Sequence, residues 1–158
     1  MTQLLSRTAG PTYRSKLVDK LAFGAYLKKI DHPVTRYDWI SRDREIVDRY
    51  AADPRCTFTF TVNGFHEMLK VLQSVSSREW AQRLDKHTPV LVFSGDADPV
   101  GDYGRGVQQV YDWIKTAGVE DVQLTLYPEG RHEMLNEVNR AQVYSDVLAW
   151  CSEHVKTV

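Results

Sequence analysis

The chain has 158 residues, 42% of them hydrophobic and 26% charged, which predicts one globular domain that buries roughly 70% of its unfolded surface. Its 20 basic and 21 acidic side chains are interspersed and give a formal net charge of -1, so nucleic acid is not an expected partner. No apolar run approaches the roughly 20 residues that a membrane-spanning helix needs, so no transmembrane segment is predicted.

The N-terminal segment allows two interpretations. Residues 1–18 contain no acidic residue but several basic and hydroxyl side chains, as an organellar transit peptide does. Alternatively, Thr2–Ser6 is a short strand and Arg7–Pro11 is the loop that leaves it. Cys56 and Cys151 match no metal or redox spacing, which favours a reduced, cytoplasmic setting.

The middle of the chain is predicted to be helical. Ser41 is the predicted N-cap of a helix that stops at Asp53-Pro54, because a residue before proline disfavours helical backbone. The alternating segment CTFTFTV that follows is either a short strand or an extended connector, and Asn63 is predicted to cap a second helix. This helix carries one apolar face, which either belongs to the core or lines a groove for an acyl chain. The face consists of Phe65, Met68, Leu69 and Leu72.

The second half alternates strands and helices. PVLVFSG is a predicted buried strand, and GRGVQQVYDWIKTAG is a predicted helix with Gly118 as its C-terminal cap. VQLTLYPEG is the next strand, and a last helix runs from about Glu137 or Asn139 toward Val155. Strand, helix, strand, helix indicates an α/β fold with a parallel sheet covered on its faces. The inward side chains of the first of these helices are predicted to be Val107, Val110, Tyr111 and Ile114.

Two polar side chains follow the two predicted strands. In an open parallel sheet, reacting groups lie beyond the carboxyl ends of the strands, which is where Asp98 and His132 fall. An ionised Asp that accepts the Nδ1 proton fixes the tautomer of an imidazole and stabilises the imidazolium that forms when Nε2 takes a proton. The sequence therefore predicts an Asp98–His132 pair that acts as a base.

Several stretches resemble the C-terminal half of an α/β-hydrolase, specifically the monoacylglycerol lipase and lysophospholipase group of serine hydrolases. They are PVLVFSGDADPVGDYGRGV, LYPEGRHEMLNE and VYSDVLAWCSEHV. The resemblance implies a partial α/β-hydrolase fold, with Asp98 as the triad aspartate, Asp96 as its neighbour, and His132 as the triad histidine. The segment from Trp39 to Leu69 resembles the helical cap that such lipases insert over the active site.

The sequence also departs from that family. No G-x-S-x-G occurs among the 158 residues, and the early glycine-rich loop that supplies an oxyanion donor is absent too. We therefore expect a truncated reading frame or one piece of a split enzyme. The expected organisation is a strand and loop at 1–12, a helical cap at 13–86, and a C-terminal core at 87–158. Possible partners are the missing N-terminal half or a second copy of the chain.

The sequence gives weaker support for another nucleophile or for a metal site. Cys151 reads as a packed hydrophobe, Cys56 as distant from His132, and Ser94 as lacking a turn that would expose it. Metal binding lacks a third ligand at proper spacing, so no metal or cofactor is predicted. The candidate ligands weighed were Asp96, Asp98, His132 and Glu133.

The remaining charged groups carry no assigned role. Arg42–Arg44 and Arg78–Trp80 are interpreted as solvated helix faces. No partner can be named for the four other histidines, which are His32, His66, His87 and His154.

By descent, the sequence predicts a lipase-like or lysophospholipase-like serine hydrolase that cleaves fatty acyl esters. Asp98 orients His132, which acts as general base and then as general acid, while the serine comes from elsewhere. Without the serine and the oxyanion amides, catalysis by these residues alone should be negligible. The alternative is a non-catalytic module that binds acyl chains or assembles with a partner.

Overall fold

The computed structural model describes residues 1–155. Its first five helices are α1 Thr2–Ala9, α2 Lys16–Phe23, α3 Arg44–Ala52, α4 Val62–Val75 and α5 Arg78–Gln82. They are followed by strand β1 Val90–Gly95, helix α6 Arg105–Thr116, strand β2 Val122–Tyr127, a 3-10 helix Met134–Asn136 and helix α7 Arg140–His154. None of the helices in the described part is long and apolar enough to cross a bilayer.

The two strands form the centre of a three-layer arrangement. β1 and β2 pair in parallel along their whole length. Val92 packs in a cluster with Ile114 of α6, whereas its neighbour Phe93 packs in a second cluster with Val143 of α7. Because consecutive strand side chains point to opposite faces, α6 covers one face of the sheet and α7 covers the other. The predicted parallel α/β arrangement of the second half is confirmed.

The predicted strand at Thr2–Ser6 is wrong, because these residues belong to helix α1. The Leu5 amide donates to the Met1 carbonyl at 3.1 Å, and α1 packs against α4. A short apolar run fits a strand or a helix equally well by pattern. The helix satisfies its backbone groups internally, whereas a strand here would need a neighbouring strand.

Two helix starts also differ from prediction. The side chain that caps α3 is Asp43, which accepts from the Glu45 amide at 3.0 Å, because Ser41 instead donates to the Asn136 carbonyl. Helix α4 is capped by Thr61 and not by Asn63. The CTFTFTV segment contains no strand and is the extended connector up to Thr61.

The apolar face of α4 is divided between two environments. Phe65 is buried, Met68 lines a groove, and the last two members of the face are about half exposed. A core role therefore holds for Phe65 alone. In α6, by contrast, the predicted face turns inward, and Gly118 just beyond its end has a φ of +92°, a conformation that glycine adopts readily. Residues 156–158 of the predicted C-terminal core lie outside the described residues.

Candidate active site

Asp98 and His132 lie beside each other in the loops that follow β1 and β2. The His132 Nδ1 is 3.0 Å from the Asp98 Oδ2. Asp98 is buried, and its other carboxylate oxygen accepts from the Val100 amide at 2.8 Å. This second bond fixes the carboxylate, so that one oxygen remains directed at the imidazole. The structure thus brings together the two residues that the sequence places at neighbouring strand ends.

The electrostatics of the pair favour a charged imidazole when a proton is available. The hydrogen bond to Asp98 raises the pKa of His132 above its ordinary value, and partial burial opposes that shift. The Nε2 atom has no hydrogen-bond partner among residues 1–155, and the His132 side chain is 38% exposed. The Nε2 atom is therefore available to take a proton from a group that does not belong to residues 1–155.

Asp96, two positions before Asp98, has a separate structural task. Its carboxylate accepts from the Glu129 amide at 2.6 Å and so ties the turn after β2 to the end of β1. A Cβ on Gly95 would lie 1.9 Å from the Gly130 carbonyl oxygen, so the two turns touch through their main chains. Of the two carboxylates after β1, Asp96 therefore holds the turn after β2, and Asp98 contacts His132.

A buried carboxylate that sequence analysis missed anchors the histidine loop. Glu137 is fully buried and accepts from the backbone amides of Arg42 and Arg131 and from the Arg42 Nε at 3.0 Å. The interpretation of Arg42–Arg44 as a solvated face is therefore wrong, because Arg42 pairs with Glu137, Asp43 caps α3, and Arg44 pairs with Asp38. The Arg-Asp-Arg spacing gave no signal for a contact 95 positions away.

The same network holds the His132 backbone against the segment before α3. The His132 amide donates to the Trp39 carbonyl at 3.4 Å, and the Glu133 amide donates to the Ile40 carbonyl at 2.8 Å. The Arg131 guanidinium donates to the Ser41 carbonyl at 3.1 Å. The Trp39 ring also lies against the imidazole, with 5.1 Å between ring centroids. The segment before α3 thus forms one wall of the site.

An apolar groove of about 500 Å³ opens from this wall into the helical region. Trp39 lines the groove and also contacts His132, so its side chain connects the groove with the dyad. Tyr26 packs on Trp39. Burial is the main cause that raises the pKa of Tyr26, and the negative charge of Asp98 adds to it. Much of the lining is aromatic, namely Phe23, Tyr37, Trp39, Tyr50, Phe58 and Phe60.

None of the alternative nucleophiles forms a hydrogen bond with the imidazole within residues 1–155. Cys56 lines the groove, Cys151 is half-buried on α7, and Ser94 donates to the Gly95 carbonyl. Within residues 1–155, the His132 ring has no side-chain hydrogen bond other than the one to Asp98. No cluster of three metal-ligating side chains occurs in the same described range.

Two of the remaining histidines have partners that the sequence did not reveal. His154 lies 2.8 Å from Asp121, and the exposed His87 lies 3.1 Å from Glu120. Both contacts join residues about 33 positions apart, beyond the reach of local spacing rules. Trp80, in the segment interpreted as a solvated helix face, packs against the buried cluster around Ile114.

Comparison with known proteins places this geometry in a family. Residues 2–139 match the family described as "Serine aminopeptidase, S33". The chain belongs to this family of α/β-hydrolases. It is 33% identical over 145 residues to a monoacylglycerol lipase from Mycolicibacterium smegmatis, and the match covers 89% of this chain and 46% of that protein.

Solved structures show the same fold. A highly thermostable carboxyl esterase from Bacillus coagulans in complex with glycerol superposes with a TM-score of 0.87 at 28% identity, covering 96% of this chain and 50% of that one. A lipase in its open form gives a TM-score of 0.86 at 22% identity, with 96% and 49% coverage. The chain therefore spans about half the length of the relatives it matches, within the α/β-hydrolase fold.

Proposed function

We propose that this chain supplies the aspartate and histidine of a serine hydrolase that cleaves fatty acyl esters of the monoacylglycerol or lysophospholipid class. Asp98 holds His132 in the tautomer with Nδ1 protonated, and Nε2 takes the proton of an attacking serine and returns it to the leaving alcohol. The observation that carries the proposal is the 3.0 Å Asp98–His132 contact, whose imidazole packs against Trp39, a residue that lines the groove.

The groove supports an acyl substrate because much of its wall is aromatic and because one lining residue, Trp39, packs against the His132 ring. Apolar pockets that contain a few convergent polar groups are the usual form of small-molecule sites. An acyl chain in the groove with its ester at Trp39 would bring the ester close to the His132 ring, which Trp39 contacts. The match to a monoacylglycerol lipase supports the same substrate class.

The serine is proposed to lie outside these 158 residues, since they contain no G-x-S-x-G. An activity-based fluorophosphonate probe, which labels an activated serine, should therefore leave the chain unmodified by itself. A separately expressed segment carrying the G-x-S-x-G of a relative should become labelled when this chain is added. Stoichiometric labelling of a serine in this chain alone would contradict the proposal.

Two variants separate catalysis from folding in that experiment. His132→Ala should reduce labelling in the mixture by roughly 10²–10⁴-fold, as loss of a general base does, while unfolding of the chain changes little. His87→Ala is the matched control, because His87 is exposed and lies outside the site. Equal labelling with His132→Ala and with His87→Ala would remove the role assigned to His132.

A second function is favoured by the groove alone. A non-catalytic module that binds acyl chains needs the aromatic wall but not the dyad. It would bind a neutral alkyl glycerol ether with the same affinity in the His132→Ala variant, and it would not raise probe labelling of any added segment.

A further inference from the structure

The His132 imidazole is held by one hydrogen bond and one ring contact. Its Nδ1 is 3.0 Å from the Asp98 Oδ2, and its ring centroid is 5.1 Å from that of Trp39. Aromatic rings whose centroids are roughly 4.5–7 Å apart attract each other beyond the effect of their buried area. A single hydrogen bond restrains one atom of the imidazole and leaves the ring able to turn about that atom. The contact with Trp39 therefore supplies a second restraint on the imidazole.

Trp39 is itself held through both its main chain and its side chain. Its neighbours Asp38 and Ile40 are buried, and its carbonyl accepts from the His132 amide at 3.4 Å. Its ring packs edge-to-face with Tyr26, with 5.0 Å between the ring centroids. The indole is thus placed by contacts that do not involve the imidazole.

The support continues from Tyr26 to a buried side chain of α4. Phe23, the last residue of α2, has its ring centroid 5.8 Å from that of Tyr26 and 6.0 Å from that of Phe65. Phe65 on α4 is only 1% exposed, so this end of the row is fixed in the interior. A row of four aromatic rings, Phe65, Phe23, Tyr26 and Trp39, therefore leads from α4 to the imidazole.

We propose that Trp39 is a positioning residue that holds the His132 imidazole against Asp98, in the tautomer with Nδ1 protonated. The inference rests on the proposed function for its catalytic meaning, since a general base needs a fixed Nδ1 proton and a free Nε2. Trp39 acts through His132 and takes no part in the proton transfer itself. A misplacement of about 1 Å at a reacting group can cost about 10²-fold in rate.

The test determines the tautomer of His132 in the whole chain by nitrogen-15 NMR. Spectra of the neutral imidazole, recorded above the pKa of His132, show whether Nδ1 or Nε2 carries the proton. The unmodified chain should carry it on Nδ1. Trp39→Leu should lower the ratio of the Nδ1–H form to the Nε2–H form roughly two- to tenfold, the range that one aromatic contact is worth. Trp39→Phe keeps a flat ring and should retain most of the Nδ1–H form.

The pKa of His132 gives a second measurement, with opposite signs for the two possible roles of Trp39. The hydrogen bond to Asp98 is the largest cause that raises this pKa, burial opposes it, and the negative charges of Asp98 and Glu133 raise it further. If Trp39 only covers the ring, Trp39→Leu should raise the pKa because it relieves burial. If Trp39 holds the ring, the weakened hydrogen bond should lower the pKa, because this bond is the larger cause.

Trp150→Leu is the matched control, because Trp150 stacks on another histidine, His154, with 4.2 Å between ring centroids. It should change the signals of His154 and leave the tautomer of His132 unchanged. If Trp39→Leu fails to fold, Tyr26→Leu tests the same row of rings. Without the Tyr26 ring, the His132 tautomer should shift in the direction expected for Trp39→Leu.

The outcomes separate this inference from the proposed function. A folded Trp39→Leu variant that keeps the His132 tautomer, or whose His132 pKa rises, would overturn the positioning role and leave the Asp98–His132 pair in place. Trp39→Leu should also reduce fluorophosphonate labelling of the added serine segment, by up to about 10²-fold. Absence of labelling with the unmodified chain would overturn the proposed function, and the tautomer would still decide whether Trp39 positions the imidazole.

Discussion

At the scale of single residues, Glu137 is the buried charge with the largest expected effect on stability. Its carboxylate accepts four hydrogen bonds, from the amides of Arg42, Arg131 and Val138 and from the Arg42 Nε. In Glu137→Gln, an amide NH₂ faces these donors, and the mostly buried Arg42 loses its buried counter-ion and keeps only the exposed Glu129. Loss of one partner of a buried ion pair typically costs about 3–5 kcal/mol.

Urea unfolding of two variants, each replacing one glutamate that contacts Arg42 by glutamine, tests this expectation. Glu137→Gln should lower the free energy of unfolding by about 3 kcal/mol. Glu129→Gln is the control, because the Glu129 side chain also contacts Arg42, at 3.3 Å, but is 85% exposed, so its loss should stay below about 1 kcal/mol. Equal losses in the two variants would show that burial of Glu137 is not what matters.

At the scale of elements, His154 fastens the end of α7 to the start of β2. Its Nδ1 is 2.6 Å from the Trp150 carbonyl oxygen and its Nε2 is 2.8 Å from the Asp121 carboxylate. Both ring nitrogens face acceptors, so the doubly protonated imidazolium satisfies both contacts. The bond to Trp150 and then the bond to Asp121 raise the pKa of His154, and the nearby charge of Glu153 acts in the same direction.

The sign of the resulting pH dependence follows from that shift. A raised pKa in the folded state stabilises the protein fully below the unfolded value of about 6.5, and the stabilisation is lost as pH rises through the folded value. We therefore compare the urea midpoint at about pH 6 and about pH 8, on either side of the unfolded pKa of about 6.5. His154→Gln should reduce the difference between these two midpoints. Asp121→Asn should narrow it too. An unchanged difference in both variants would contradict the assignment.

The second half of the molecule and the helices α3 and α4 could be predicted from local patterns, whereas the N-terminal segment and the long-range contacts could not. Val90–Gly95 and Val122–Tyr127 are apolar runs that end in glycine, proline and acidic residues, so the strands and the Asp98–His132 contact follow from the sequence. Thr2–Ser6 is too short for its pattern to distinguish strand from helix. The Arg42–Glu137 contact was missed because it depends on the three-dimensional fold and not on spacing.

At the scale of the whole molecule, the surface predicts association. Within residues 1–155, β1 and β2 have only each other as strand partners, so the outer edge of each carries unpaired backbone groups. Four large apolar side chains near α7 are about half exposed or more. We expect the chain to pair with another copy, with a complementary hydrolase segment or in aggregates, burying more than about 1,200 Å² in a stable complex. The four side chains are Leu135, Val138, Tyr144 and Leu148.

Analytical sedimentation at low micromolar concentration checks this expectation. The unmodified chain should sediment faster than an 18.2 kDa monomer, and Leu148→Lys should shift it toward the monomer if the α7 surface takes part. A matched substitution at an exposed charged position, Arg105→Lys, should leave sedimentation unchanged. A monodisperse monomer that unfolds cooperatively would refute the expectation and favour the acyl-binding module.

The contact between Gly95 and Gly130 has a consequence for how this site tolerates divergence. The two turns that carry Asp98 and His132 meet through main-chain atoms, and a single added methyl at Gly95 would collide with the Gly130 carbonyl. The approach of the two turns is therefore set by the backbone at these glycines, while Asp96 and Glu137 hold the loops through their side chains. Divergence at other positions can preserve the geometry of the dyad only while Gly95 and Gly130 stay without a side chain.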